Sequence, residues 1–327
     1  MLTPQQLERA VGAILASAAG DALGAPYEFR AAVLPPVPIE MHAAAPWELG
    51  EWTDDTSMAV PILQAVARGK RLDDPIVLAT IVGEWIGWAR EAKDVGIQTR
   101  AVLGRIRHVT EDDARAAALA QHTETGRSAG NGSLMRTGPV ALGFLGAGEA
   151  VGLAAAARRI SELTHYETDA GDACVIWSLA VRTAILDGAP AIRAAVDTLP
   201  PERAALWHER LSAAEAVQPW QVPGSNGWVV AALQAAWSAI THSSSLADAL
   251  VLAVRAGNDT DTVAAITGAL AGAVYGATAL PSEWIARLHG WPGGEFRAFG
   301  AAELVHLVHR AVADPWIEER RRSAGVA

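Results

Sequence analysis

Two short stretches of this sequence place carboxylates where an apolar helix should begin. In EWTDDTSMAV, Glu51 to Val60, Asp54 and Asp55 stand side by side between Thr53 and Thr56. In AGNDTDTVAAITGAL, Ala256 to Leu270, Asp259 and Asp261 alternate with Thr260 and Thr262 before an apolar run. A lone Asp or Thr at a helix start is an N-cap, favoured by free N–H groups and the helix dipole. A cap needs one carboxylate, yet each motif brings two towards what should be a dry core. Unpartnered buried carboxylates are costly. Neither motif has a Lys or Arg within the same turn, the nearest being Arg68 and Arg255. A metal ion is the charge that fits. The donors are all carboxylate and hydroxyl oxygens, which suits Mg²⁺ first, then Mn²⁺ or Ca²⁺, and does not suit zinc. Four aspartates are too many for one small octahedral ion. Two ions bridged by shared carboxylates balance the charge better.

Three weaker features accompany these motifs. GDALGAPYEF, Gly20 to Phe29, carries Asp21 and Glu28; apolar neighbours would raise the Glu28 pKa towards the range of a general base. SAGNGSLMRTGPVAL, from Ser128, reads as a Gly-rich loop entering a helix, whose free N–H groups suit a phosphate, although it lacks the Lys of a P-loop. LTHYETDAGDAC places His165 after Thr164 at an apparent helix end, where a lone His is more often a cap than a ligand.

The elements that must hold these residues are helices. Apolar residues recur at three- and four-residue spacing from Leu7, from Leu78 and from Gly227, and Ala, the best helix former, is abundant. No sustained period-two alternation argues for a sheet. The expectation is an all-α fold, a single compact multi-helix domain over residues 1–327. The breaks at Leu34–Pro46, Thr123–Ser133 and Gln218–Gly227 are too short for interdomain linkers. With 51% hydrophobic residues and 19% charged, the composition is globular. A formal net charge of −10 argues against a nucleic-acid backbone or an anionic membrane as partner. The single Cys174, in an apolar run, reads as a buried structural thiol. No basic n-region precedes an apolar stretch at the N-terminus, so a cytoplasmic location is expected. The uncharged run Thr262 to Leu280, with Gly268, Gly272 and Gly276 in register, lacks basic flanks and is read as a central buried helix and not a span.

Taken in order, GDALGAPYE, TDDT, GNGSLMR, THYE and DTDT resemble the ADP-ribosylglycohydrolase family, which includes the dinitrogenase reductase-activating glycohydrolases. The matches run from Gly20 to about Gly276. Any one is weak; five in order are specific. The resemblance implies an all-α fold with a central binuclear site for two Mg²⁺ ions, Mn²⁺ in some members. Carried over by position, Thr53, Asp54, Asp55, Asp259, Asp261 and Thr262 would bind metal. Ser128, Gly130, Asn131 and Gly132 would line an ADP-ribose pocket with His165 nearby. Glu28, Asp55 and Asp261 would be catalytic, Glu28 activating water or positioning substrate and the carboxylates stabilising oxocarbenium character at C1″. The implied activity is hydrolysis that frees ADP-ribose from a modified protein or a small ADP-ribose derivative, by a protein expected to be monomeric. Arginine-specific members carry an acid just before the GNG loop, where this chain has Ser128. Linkages to arginine, serine, an acetyl ester or another small acceptor therefore stay open.

Other readings fare worse. A class I terpene synthase is also all-α with two aspartate motifs, but DDTSM lacks the fifth-position acid and Ile266 stands where Glu is needed. A helical phosphohydrolase of another type would bring His ligands, and no His adjoins these aspartates. An ADP-ribose-binding or structural relative should have lost Glu28 or a metal aspartate, and this chain keeps them all.

Overall fold

A computed structural model describes residues 2–293 and 299–313. Of the stretch Trp284 to Phe296, read from sequence as a helix end and a turn, positions 294–296 lie outside the described residues. The helices in chain order are α1 (Pro4–Gly24), α2 (Asp54–Ala67), α3 (Pro75–Trp88), α4 (Ile97–Leu103), α5 (Glu111–Thr125), α6 (Ala150–Ser161) and α7 (Thr168–Asp187). Then follow α8 (Ile192–Val196), α9 (Pro201–Glu215), α10 (Val229–Thr241), α11 (Leu246–Val254), α12 (Thr260–Tyr275), α13 (Ser282–Ile285) and α14 (Ala301–Ala313). Among the described residues β structure is limited to isolated bridges, so the all-α expectation holds.

Helix α12 is the axis of the molecule. Every residue from Thr260 to Ala273 is buried, and α1, α7, α10 and α11 pack around it. The longest shared face is with α1, and glycine makes it possible. Gly12 and Gly20 on α1 meet Gly272 and Ala264 on α12, where any β carbon would run into the facing backbone. At Gly24, the last residue of α1, a β carbon would lie 2.5 Å from the Cα of Asp261. The glycines that looked like a membrane-pairing row therefore serve close helix packing inside one chain. Among the described residues no helix is long and apolar enough to cross a membrane.

One continuous core joins nearly all of the helices. Trp52, Trp85, Trp177 and Trp207 are fully buried within it. Their indole N–H groups are not stranded: Trp85 donates to the Met58 carbonyl at 2.9 Å and Trp177 to the Ile266 carbonyl at 3.0 Å. Cys174 is buried and free, as its apolar setting suggested.

The segment after the GNG loop corrects one expectation. It does not enter an α-helix; Asn131–Ser133 and Gly138–Phe144 form short 3-10 stretches. Gly132 and the Gly138–Pro139 pair weaken an α-helical ladder here. The helix-dipole argument for a phosphate at this loop therefore lapses, and the loop has to be judged by the side chains around it.

Candidate active site

The two acidic motifs, separated by some two hundred positions of chain, meet at the N-termini of α2 and α12. Thr53 Oγ1 lies 3.1 Å from Asp55 Oδ2, 3.3 Å from Asp261 Oδ2 and 3.5 Å from Asp54 Oδ1. Thr262 Oγ1 is 3.4 Å from Asp55 Oδ2. One hydroxyl has one proton, so it cannot satisfy three carboxylates at once. Glu28 joins the same group: carboxylate oxygens of Glu28, Asp259 and Asp261 come within 4.8 Å of one another, as do those of Asp21, Asp55 and Asp261. Asp261 belongs to both triads.

Neither N-cap residue caps its own helix, although Asp261 accepts from Thr262 N at 2.9 Å. The side chains of Thr53 and Asp259, the N-cap residues of α2 and α12, make no cap hydrogen bond. Helix α2 is capped from elsewhere. Asp21 on α1 accepts from Thr53 N at 2.8 Å, Thr56 N at 2.9 Å and Thr56 Oγ1 at 2.7 Å. That carboxylate is fully buried between Gly20 and Gly24, the glycines that bring α1 against α12. The motif GDALG is thus a structural tie: its Asp caps α2 and leaves Thr53, Asp54 and Asp55 free to face inward. At the other motif, Thr260 Oγ1 donates to the Gly24 carbonyl at 2.9 Å, fixing α12 to the end of α1. Asn131 Nδ2 donates to Asp259 Oδ2 and to the Asn226 carbonyl, each at 2.8 Å.

The electrostatics of the cluster call for a cation or for protons. Among the described residues, none of Asp21, Glu28, Asp54, Asp55, Asp259 and Asp261 forms an ion pair. The two arginines nearest in sequence are engaged elsewhere, Arg68 with Gln64 and Arg255 with the Val33 and Val37 carbonyls. Burial pushes every carboxyl of the cluster up. Asp54 is raised to about 7, first by burial and then by the charge of Asp21. Glu28 is raised to about 8, by burial and then by the charge of Asp259. Asp21, Asp55, Asp259 and Asp261 are raised mainly by burial. Asp55 Oδ1 is buried with no hydrogen-bond partner. An orphaned carboxylate oxygen, two overlapping acidic triads and an all-oxygen donor set fit a hard divalent cation.

Beside the cluster lies the GNG segment. Gly130 and Gly132 face the His165 ring, and a β carbon on either would sit 3.2 Å from His165 Nε2. Ser128 is buried; its hydroxyl is 2.6 Å from His122 Nδ1 and its amide donates to Glu167. Gln98, which sequence reading missed, donates to the Ser128 and Thr164 carbonyls and ties the loop to the THY turn. Trp228, also missed, is paired with Gly130 through an isolated bridge and is 42% exposed, an unusual exposure for so large a ring beside a polar loop. On the other side a cleft of about 590 Å³ opens at Thr53 and Asp54, walled by Trp47, Trp52, Trp88 and Trp291 and by the acids Glu91 and Asp94.

The fold thus sets an all-oxygen carboxylate cluster that could hold a hard divalent cation beside a Gly-rich loop. The ADP-ribosylglycohydrolase family model matches residues 2–315, and the chain belongs to that family. It is 32% identical over 301 residues to the ADP-ribosylarginine hydrolase Tri1 of Pseudomonas putida (strain GB-1), covering 88% of this chain and 76% of that protein. It is 29% identical over 295 residues to the ADP-ribosyl-[dinitrogen reductase] glycohydrolase of Rhodospirillum rubrum, covering 88% and 92% respectively. A solved structure described as an ADP-ribosylglycohydrolase-related protein complex superposes with a TM-score of 0.71 at 28% identity, over 95% of this chain and 99% of that one.

Proposed function

We propose that this protein hydrolyses the bond at C1″ of an ADP-ribosyl group and releases ADP-ribose, the acceptor being an arginine side chain of a modified protein. The observation that carries this reading is the convergence of TDDT and NDTDT on one largely buried carboxylate cluster whose members form no ion pair among the described residues.

Thr53, Asp54, Asp55, Asp259, Asp261 and Thr262 would hold two Mg²⁺ ions, with Mn²⁺ as the substitute. Bound there, the ions supply positive charge that neutralises the cluster and orders the ribose hydroxyls. Asp55 and Asp261, held in the cluster's interior, stabilise the positive charge that develops at C1″ as the bond breaks. Glu28 is half-buried, and its raised pKa suits it to take a proton from attacking water and to pass one to the leaving group. Asp21 and Asn131 position the helix termini and Asp259. The diphosphate and riboses lie along the Gly130–Gly132 loop near Ser128 and His165, and the exposed Trp228 face offers a surface for the purine.

Two observations support an arginine acceptor. Relatives of this chain are ADP-ribosylarginine hydrolases. In the cleft, Glu91 and Asp94 make no ion pair among the described residues and stand among tryptophans, a setting that suits a planar cation. The reading takes residues 1–327 as one domain acting as a cytoplasmic monomer; the continuous core supports the single domain.

The test is ADP-ribose release from ADP-ribosyl-arginine, ADP-ribosyl-serine and O-acetyl-ADP-ribose, with Mg²⁺ and with EDTA, against Asp261→Asn. Metal-dependent release from the arginine conjugate alone, lost in the variant, is the expected result. Release in EDTA, or none from any conjugate, contradicts the proposal.

A further inference from the structure

Arg136, the last residue of GNGSLMR, is fully buried and has no carboxylate partner among the described residues. Such a residue is expensive to keep and calls for a reason. Its guanidinium stacks on Trp85 with the carbon centre 3.9 Å from the ring centroid, and Nη1 approaches Met58 Sδ at 3.5 Å. Nε has no partner. Its one strong hydrogen bond runs from Nη2 to Thr164 Oγ1 at 2.6 Å. Thr164 Oγ1 lies in turn 2.7 Å from His165 Nδ1.

The proton count along this chain favours one arrangement. Arg can only donate, so the Thr164 hydroxyl accepts from it. If His165 Nδ1 also donated to that oxygen, the hydroxyl proton would be left without an acceptor at a side chain that is 0% exposed, a costly outcome. The hydroxyl therefore donates to Nδ1, and Nδ1 carries no proton. Burial and the charge of Arg136 hold His165 neutral, so its one ring proton sits on Nε2. His165 is itself buried, and Nε2, the atom facing Gly130 and Gly132, has no protein partner among the described residues.

We propose that Arg136, acting through the Thr164 hydroxyl, is a positioning residue that locks His165 in its Nε2–H form and so presents a donor to an oxygen of the ligand at the Gly130–Gly132 loop. The Arg136–Thr164 pair does not touch the ligand; it sets which ring nitrogen does. This inference rests on the loop being the ADP-ribose-binding segment. A donor in that place discriminates for hydroxyl or phosphate oxygens and against a ligand that offers only N–H groups.

The experiment is side-chain ¹⁵N NMR of the ligand-free protein with ¹⁵N-labelled histidine, assigned through His165→Gln, in wild type, Thr164→Val and Thr164→Ser. ADP-ribose affinity is measured in parallel by calorimetry, and thermal melts confirm that each variant is folded. The wild type should show His165 neutral and protonated on Nε2. Thr164→Val should lose that single signature and bind ADP-ribose about tenfold more weakly, the worth of one hydrogen bond. Thr164→Ser should restore both. Protonation on Nδ1 in wild type overturns the proposal even if Thr164→Val fails to fold. So does a Thr164→Val protein with an unchanged tautomer, or one with an altered tautomer and unchanged affinity. Absence of ADP-ribose binding to wild type, with the Nε2–H signature present, defeats instead the reading of the loop as an ADP-ribose pocket, and with it the ligand half of the inference.

Discussion

Replacing Asp54 by Asn should stabilise this protein when metal is absent and weaken it when metal is present. In the metal-free protein burial and the charge of Asp21 raise the Asp54 carboxyl from 3.8 to about 7. The difference, 7 − 3.8, is about 3 units, or about 4 kcal/mol at about 1.4 kcal/mol per unit. The sign follows from proton counting. Below pH 3.8 both folded and unfolded chains are protonated at this group and nothing is lost. Between pH 3.8 and 7 the unfolded chain ionises while the folded one resists, so stability falls as pH rises, and above pH 7 the deficit is constant. From pH 5 to 7 the loss from this group is about 2 kcal/mol, because at pH 7 half of the folded chains still carry the proton. His165 works in the opposite direction, because the cost of keeping its buried ring neutral fades as pH rises towards the ordinary histidine value and is gone above it. That contribution is common to wild type and Asp54→Asn, so the quantity to read is the difference between them. Urea unfolding in EDTA at pH 5, 6, 7 and 8 should show the Asp54→Asn variant gaining on wild type by about 2 kcal/mol between pH 5 and 7. In saturating Mg²⁺ the order should invert, because only the wild type keeps the full ligand set and gains the binding free energy. A difference independent of pH in EDTA, or no inversion with Mg²⁺, would refute the reasoning.

Glu28→Gln should lower kcat by about 10² to 10⁴ while ADP-ribose still binds, as read from steady-state release and calorimetry, because the amide cannot carry protons. Gly24→Ala places a methyl group 2.5 Å from the Cα of Asp261, so it should cost about 1–3 kcal/mol in denaturant unfolding and weaken Mg²⁺ affinity together. Trp228→Ala should weaken ADP-ribose about tenfold by titration calorimetry and leave Mg²⁺ affinity unchanged, since its backbone pairs with Gly130 of the loop and its exposed ring contacts Arg210 and none of the carboxylates.

Much of the fold was legible because its signals are local. Three- and four-residue spacing marks α1, α3 and α10, and the charge-free stretch at Thr262 to Leu280 marks a helix buried on all sides, as α12 is. The paired aspartates were legible for a different reason: two carboxylates at each helix start exceed what capping needs. What local signals cannot carry is the partner supplied by another part of the chain. Asp21 stands near the end of α1, yet its carboxylate caps α2, some thirty residues on. Asn131 was expected to line the pocket, and its amide is bonded to Asp259. Arg136 sits in a polar-looking loop but is buried against Trp85, a residue of α3. The GNG segment was read as entering a helix because a Gly-rich loop before an apolar run has that pattern in α/β folds. Here no strand leads in, and the chain winds into 3-10 turns that put Gly130 and Gly132 under the His165 ring.

The central claim is that TDDT and NDTDT build one binuclear metal centre. Anomalous diffraction from crystals grown with Mn²⁺ tests it directly. Two manganese peaks are predicted inside the cluster of Asp54, Asp55, Asp259 and Asp261, both lost in Asp261→Asn. Crystals of folded protein in saturating Mn²⁺ with no peak among these carboxylates would contradict the account.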